Sequence, residues 1–157
     1  MRKALLLVMA MLGLAGCGRR NTAEVARTLA APVEKILLRR TACFGRCPVY
    51  TVSFCRDGRA ELQAEAHLSR RGSFTGRIEA AAFAELSERI GNGKFDRFAP
   101  RYDAAYTDAP SCTVTVLRAD GAGSSVYEYG SEGPDGLHVI QKAIDAARDG
   151  IDWQPVK

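Results

Sequence analysis

The chain has 157 residues, 46% of them hydrophobic and 25% charged, with 22 Lys and Arg against 18 Asp and Glu, a formal charge of +4. That apolar content excludes a disordered polymer, and the length fits one domain able to bury a real core. The near balance of charge gives no footprint for nucleic acid, the more so because Arg2 and Lys3 belong to a leader.

Residues 1–16 have the three-part layout of a secretory signal: a basic start, an apolar run from Ala4 to Leu14, then small Ala15 and Gly16. The run is short of the roughly 20 residues that span a bilayer. Leu14-Ala15-Gly16-Cys17 resembles the bacterial lipobox, which implies cleavage before Cys17 and lipidation of its sulfur, with acyl chains of the palmitate type holding the mature chain to a membrane. Gly18, where an aspartate would retain the protein at the inner membrane, somewhat favours an outer-membrane address. The expected location is the bacterial cell envelope, with the domain facing the periplasm or the exterior. Residues 17–33 are small, polar and alanine-rich and read as a flexible tether; the sixteen from Gly18 to Val33, fully extended, reach at most about 50 Å.

A single domain is expected from 34 to 157. Ile36 and Leu38 alternate with Arg40 as a first strand. Val49 to Arg56 alternates cleanly, Asp57-Gly58 signals a type I′ hairpin, and Arg59 to His67 returns with Ala60, Leu62, Ala64 and Ala66 on one face. The stretch RRGSFTG reads as loop or frayed strand. Residues 79 to 90 switch to a helical period through Ala82, Phe83, Leu86 and Ile90, with Gly91 and Gly93 ending the helix in the manner of a left-handed cap. Lys94 to Pro110 is an ordered connection carrying Phe95, Phe98, Tyr102 and Tyr106, long enough to suggest a role. Cys112 to Val116 and Ser125 to Tyr129 form a second hairpin around Asp120-Gly121-Ala122-Gly123. Gly133-Pro134 opens a second helix with Leu137, Ile140, Ile144 and Ala147 as its apolar stripe, and Trp153 folds back on the core. The fold expected is α+β in two layers, an antiparallel sheet of about five strands with both helices on one face.

With Cys17 taken by lipid, Cys43, Cys47, Cys55 and Cys112 remain, an even number in an oxidising compartment. A strand of about 26 Å separates Cys47 from Cys55, too far for a bond that needs Cα atoms roughly 4.4 to 6.8 Å apart. The preferred pairs are Cys43 with Cys47, closed by a turn at Gly45, and Cys55 with Cys112, although the latter needs a bulge or strand end. A thiol-disulfide enzyme using Cys43 and Cys47 is the alternative, weakened because the spacing is one longer than Cys-X-X-Cys and a strand, not a helix, follows. No metal site is expected, since His67 and His138 lack ligand spacing to any cysteine. Ser111, His138 and Asp108 make a triad only on paper, and no catalytic residue or cofactor is assigned. In Tyr106-Thr107-Asp108-Ala109-Pro110-Ser111 the plain expectation is a turn whose Asp108 carboxylate accepts backbone N–H groups. The sharper one is a small-ligand site at Tyr102, Tyr106 and Asp108.

Arg40-Thr41-Ala42-Cys43-Phe44-Gly45-Arg46-Cys47-Pro48-Val49-Tyr50, then Asp57-Gly58, Gly72, Phe83 and Leu86, then Tyr106 to Ser111, resembles the bacterial family called domain of unknown function 6438, over about Ile36 to Trp153. The resemblance implies export or lipid anchoring and no established activity; Cys55 and Cys112 are additions to its pattern. The function expected is therefore that of an envelope lipoprotein, a non-catalytic module binding an envelope protein or a cell-wall component.

Overall fold

The computed structural model describes residues 31–157. The leader, the lipidation site Cys17 and all but the end of the tether lie outside the described residues. Eight strands form one sheet: β1 (Val33–Arg40), β2 (Val49–Cys55), β3 (Arg59–Ala66), β4 (Gly72–Arg77), β5 (Arg101–Asp103), β6 (Ser111–Arg118), β7 (Gly123–Tyr129) and β8 (Gln154–Pro155). Two helices, α1 (Ala80–Asn92) and α2 (Asp135–Asp149), and a 3-10 turn at Phe95–Arg97 complete the domain. The strand order is β5-β7-β6-β1-β2-β3-β4-β8. All neighbours are antiparallel except β5 and β7, which run parallel.

This corrects the expected α+β fold with an antiparallel sheet of about five strands in two layers. The sheet is mixed, has eight strands and makes up most of the domain. The extra strands are those with the weakest periodicity: β4, GSFTGR, has Phe74 as its one large apolar residue, and β5 and β8 are only three and two residues long. They pair because β3, β7 and, once added, β4 offer unfilled backbone groups at their outer edges. The first strand begins at Val33, the last residue assigned to the tether.

Alternation sets the core, as expected. Ile36, Leu38, Tyr50, Val52, Phe54, Ala60, Leu62, Ala64, Val114, Val116 and Val126 are buried on one face and meet Phe83, Leu86 and Ile90 of α1 and Leu137, Ile140 and Ile144 of α2. Trp153 closes the cluster, 7% exposed, its indole N–H donating to Arg148 O at 2.9 Å.

Two turns differ from expectation. The first hairpin is not type I′, because only Gly58 has positive φ (+87°) and Gly58 N–H closes onto Cys55 O at 3.0 Å. At the end of α1, Gly93 is right-handed (φ −71°) and the left-handed residue is Lys94 (φ 52°). Glycine at 93 serves packing instead: a Cβ there would meet Arg89 O at 2.9 Å and Ile140 Cδ1 at 3.0 Å.

β1 runs the length of the sheet and gives it two ends. Its first residue, Val33, lies opposite Arg118, beside the two hairpin turns. Its last, Arg40, lies opposite Tyr50 and Cys112, beside the loop that holds Cys43 and Cys47. The two ends are roughly 23 Å apart at strand rise.

Candidate functional site

At the Arg40 end the core-facing positions turn polar. The strand register sets Tyr50 opposite Arg40, Arg40 opposite Cys112, Cys112 opposite Glu128 and Glu128 opposite Tyr102, one row across five strands. Helix α2 crosses this row and supplies partners. Arg40 donates to Asp145 Oδ2 at 2.8 Å and to the Tyr50 hydroxyl at 3.2 Å, and Tyr50 donates to the other Asp145 oxygen. The Arg148 guanidinium lies 4.3 Å over the Tyr50 ring.

The Glu128 carboxylate is 3% exposed. One oxygen accepts Gly133 N–H at 2.6 Å and meets His138 Nε2 at 2.6 Å, while the other accepts the Gln141 amide at 2.7 Å. Burial pushes this carboxyl up, but the bonds from Gln141, His138 and Gly133 together outweigh it and hold Glu128 below the usual range. Burial pushes the Cys112 thiol up to about 12, so at neutral pH it is a protonated, inert hydrophobe. Burial, reinforced by the bond to Asp145, also raises the Tyr50 phenol well above its ordinary value. Among the described residues no buried side-chain nitrogen or oxygen lacks a partner, which makes this row a closed internal brace.

Above the row, the two stretches singled out in sequence meet. Cys43 is bonded to Cys47, with Cα atoms 5.7 Å apart. Phe44 N–H donates to Asp108 O at 3.0 Å, Thr41 N–H to Ser111 O at 3.0 Å, and the Thr41 and Ser111 hydroxyls are 2.8 Å apart. The Tyr106 hydroxyl donates to Gly130 O at 2.7 Å, and Gly130 N–H donates to Pro110 O. Gly130 has φ +76°, and a Cβ there would strike Ala104 Cβ at 2.5 Å and the Tyr106 hydroxyl at 2.9 Å, so no other residue lets this corner close. At the apex of the bridged loop Phe44 is 91% exposed, and Tyr106, on the loop that Phe44 N–H bonds through Asp108 O, is 54% exposed.

The other expected site residues fall out as follows. Tyr102 packs against the core, and its hydroxyl accepts Ala99 N–H at 3.0 Å. Asp108 does hold a turn (φ 66°), but through its backbone carbonyl; its carboxylate meets the Thr107 hydroxyl at 3.5 Å and takes none of the expected backbone N–H bonds. The bridge between Cys55 and Cys112 is not formed, and both thiols are free. β1 lies between them, and their partners on it, Lys35 and Arg40, are five residues apart. That is about 17 Å along the strands and two strand spacings across, beyond any disulfide. The paper triad is not assembled either, since Ser111 bonds Thr41 and His138 bonds Glu128.

Phe44, Arg40, Asp145 and Glu128 were not singled out as site residues. Phe44 carried a signal, a large apolar side chain enclosed by two cysteines in an otherwise polar turn. Glu128 and Arg40 carried one as charges at core-facing parity. Residues 34–148 match the family described as Domain of unknown function (DUF6438). No curated protein matches the chain.

Proposed function

We propose that this chain, which belongs to the DUF6438 family, is an exported, lipid-anchored binding module that presents Phe44 to an envelope protein. The observation that carries the reading is Phe44 itself: 91% exposed, yet held by the Cys43–Cys47 bridge and by the bond from its N–H to Asp108 O. Exposing a phenylalanine forfeits about 2 kcal/mol of burial, and fixing it in place removes the freedom that would let it fold back. An aromatic whose backbone is fixed before binding has less entropy left to lose on binding, a property of interface anchors. The exposed Arg46 and Tyr106 supply the amphipathic surround typical of such anchors.

Lipid anchoring at Cys17 supports this arrangement through the direction of β1. The chain enters the domain at Val33, and Phe44 lies beyond the far end of the strand. A chain tethered through its N-terminal segment therefore has Phe44 on the pole away from the point of attachment, and the roughly 50 Å reach of the tether leaves that pole free to meet an envelope partner.

The test is photo-crosslinking in intact cells with a photoreactive phenylalanine analogue at position 44, and the same analogue at Ala122 on the other pole. A discrete adduct from position 44 that is absent from position 122, together with loss of co-purification of that protein in Phe44→Ala, is the expected result. Equal labelling from both positions, or adducts with wall polymer only, would overturn the protein-binding reading.

A further inference from the structure

Both helices pack on one face of the sheet, and among the described residues no helix covers the other. The open face is built largely of short side chains whose polarity is already met. The Thr115 and Ser125 hydroxyls lie 3.0 Å apart, Ser73 donates to Gln63 at 2.6 Å, and Ser53, only 4% exposed, lies 3.4 Å from a Glu61 oxygen. Covering such groups costs little, because they bring their hydrogen bonds with them. The charges of this face are sorted by strand. β1 shows it Lys35, Leu37 and Arg39, and β3 shows it Glu61, Gln63 and Glu65, while β2 between them shows only Thr51, Ser53 and Cys55. β1 and β3 stand about 10 Å apart across β2. Among the described residues Lys35, Arg39, Glu61 and Glu65 are in no ion pair. The other charged side chains of the face are engaged: Arg101 with Asp103, Arg59 with Asp57, and Arg77 as a donor to Asp57 O. Glu34 lies in the bulge that opens β1, outside these rows.

We infer that this face pairs two copies of the chain, sheet against sheet, about a twofold axis that runs along β2. Rotation about that axis lays β1 of each copy over β3 of the other at the same height along the strands. The register then brings Arg39 of one copy over Gln63 of the other, between Glu61 and Glu65, and Lys35 between Glu61 and the Arg59–Asp57 pair. Aligned sheets cross at about 30°, which moves a strand one spacing from the axis by less than one residue. Leu37 of each copy meets the groove of about 460 Å³ that runs over Ser53, Glu61 and Thr75 of the other. The charge pattern also rejects the other ways of stacking. An axis across the strands lays β1 on β1 and β3 on β3, and an axis along β1 again sets cation on cation, so like charges oppose both. Six strands and about 20 Å of strand length give about 600 Å² per copy, the low end for a specific interface and the size of a reversible one. Because this axis keeps the strand direction, both Phe44 loops emerge at the same end of the dimer. The pairing stands without the Phe44 reading; on that reading it offers a partner two anchors at once.

The core is closed within residues 31–157, so the chain can be studied from position 17 with Cys17→Ser, without leader or lipid. Sedimentation equilibrium should show monomer and dimer exchanging with a Kd on the order of 10 μM. Arg39→Glu and Glu65→Arg should each weaken the dimer about tenfold, and the two together should return it to within about threefold of wild type, because the reversed pair attracts again. Arg46→Glu, on the Phe44 loop, leaves it unchanged. These side chains are exposed, and circular dichroism checks that each variant folds. Cys55 lies on the axis and faces Cys55 of the second copy between sheets about 10 Å apart, so a short bismaleimide should join the two; Cys112 is buried and takes no part. A lone monomer at concentrations on the order of 0.5 mM overturns the inference. So does a dimer that Arg39→Glu leaves intact or weakens no more than Arg46→Glu does, a reversed pair that fails to recover, or a crosslinked dimer not joined through Cys55.

Discussion

Replacing Glu128 by alanine tests whether the polar row is a brace. The substitution removes one acceptor and strands three donors: Gly133 N–H, His138 and the Gln141 amide. Gln141 is 5% exposed and cannot turn to water, so its loss costs about 1–3 kcal/mol. His138 and Gly133 are half-buried and recover part of their bonding from solvent. With the lost packing the sum is about 3–4 kcal/mol, within the range for breaking a buried charged pair. Glu128→Gln keeps the shape but puts an amide N–H₂ against one of the same donors, at a cost of about 1–2 kcal/mol. Acid dependence gives a second check. A carboxyl held low in the fold stabilises fully above its unfolded pKa, about 4.3, and that contribution is lost as pH falls through the lower folded value. Urea unfolding of wild type and Glu128→Gln should therefore differ most at neutral pH and converge in acid. A Glu128→Ala loss under 0.5 kcal/mol, or a gap that widens in acid, would refute the reasoning.

Two cysteine predictions follow from the same geometry. Replacing Cys43 and Cys47 by serine releases a five-residue loop and should cost about 2 kcal/mol in urea unfolding by loop entropy, with faster amide exchange at Phe44 as its bond to Asp108 O loosens. Alkylation at pH 8 of the chain carrying Cys17→Ser should label Cys55 in the native state and Cys112 only after unfolding, because Cys112 is 4% exposed and its thiol lies up to about 12; peptide mass spectrometry reads the sites.

How much could be read in the amino-acid order follows from what each element depends on. β2, β3, β6, α1 and α2 were legible because their own periodicity separates a buried face from a wet one: Tyr50, Val52 and Phe54 need no knowledge of their neighbours to be sorted. β4, β5 and β8 were not, because they are strands only by virtue of the edge they join. Cys55 and Cys112 failed for a related reason. Their parity was visible, but the insertion of β1 between β2 and β6 is a matter of strand order, which alternation does not encode. The site was half legible. Thr41 to Pro48 and Tyr106 to Ser111 stood out separately, and what joins them is the pairing of β1 with β6, which sets Thr41 beside Ser111.

The same pairing explains why the polar row sits where it does. Arg40 precedes the Cys43–Cys47 loop and Tyr50 follows it; Cys112 lies one residue into β6, just after the 104–110 connection; Glu128 comes just before the corner at Gly130. Each of these residues therefore borders a loop of the Phe44 pole, and Arg40, Tyr50 and Glu128 are clasped by α2 through Asp145, His138 or Gln141. An apolar row would bury as well but would leave the loop stems free to shift, since dispersion has no preferred direction. Hydrogen-bonded charges at the stems fix direction as well as distance. In the proposed reading the charged residues under this pole serve the aromatic exposed upon it: the order of the loop that carries Phe44 begins one layer down, where Arg40 and Glu128 hold the ends of the strands from which the loops depart.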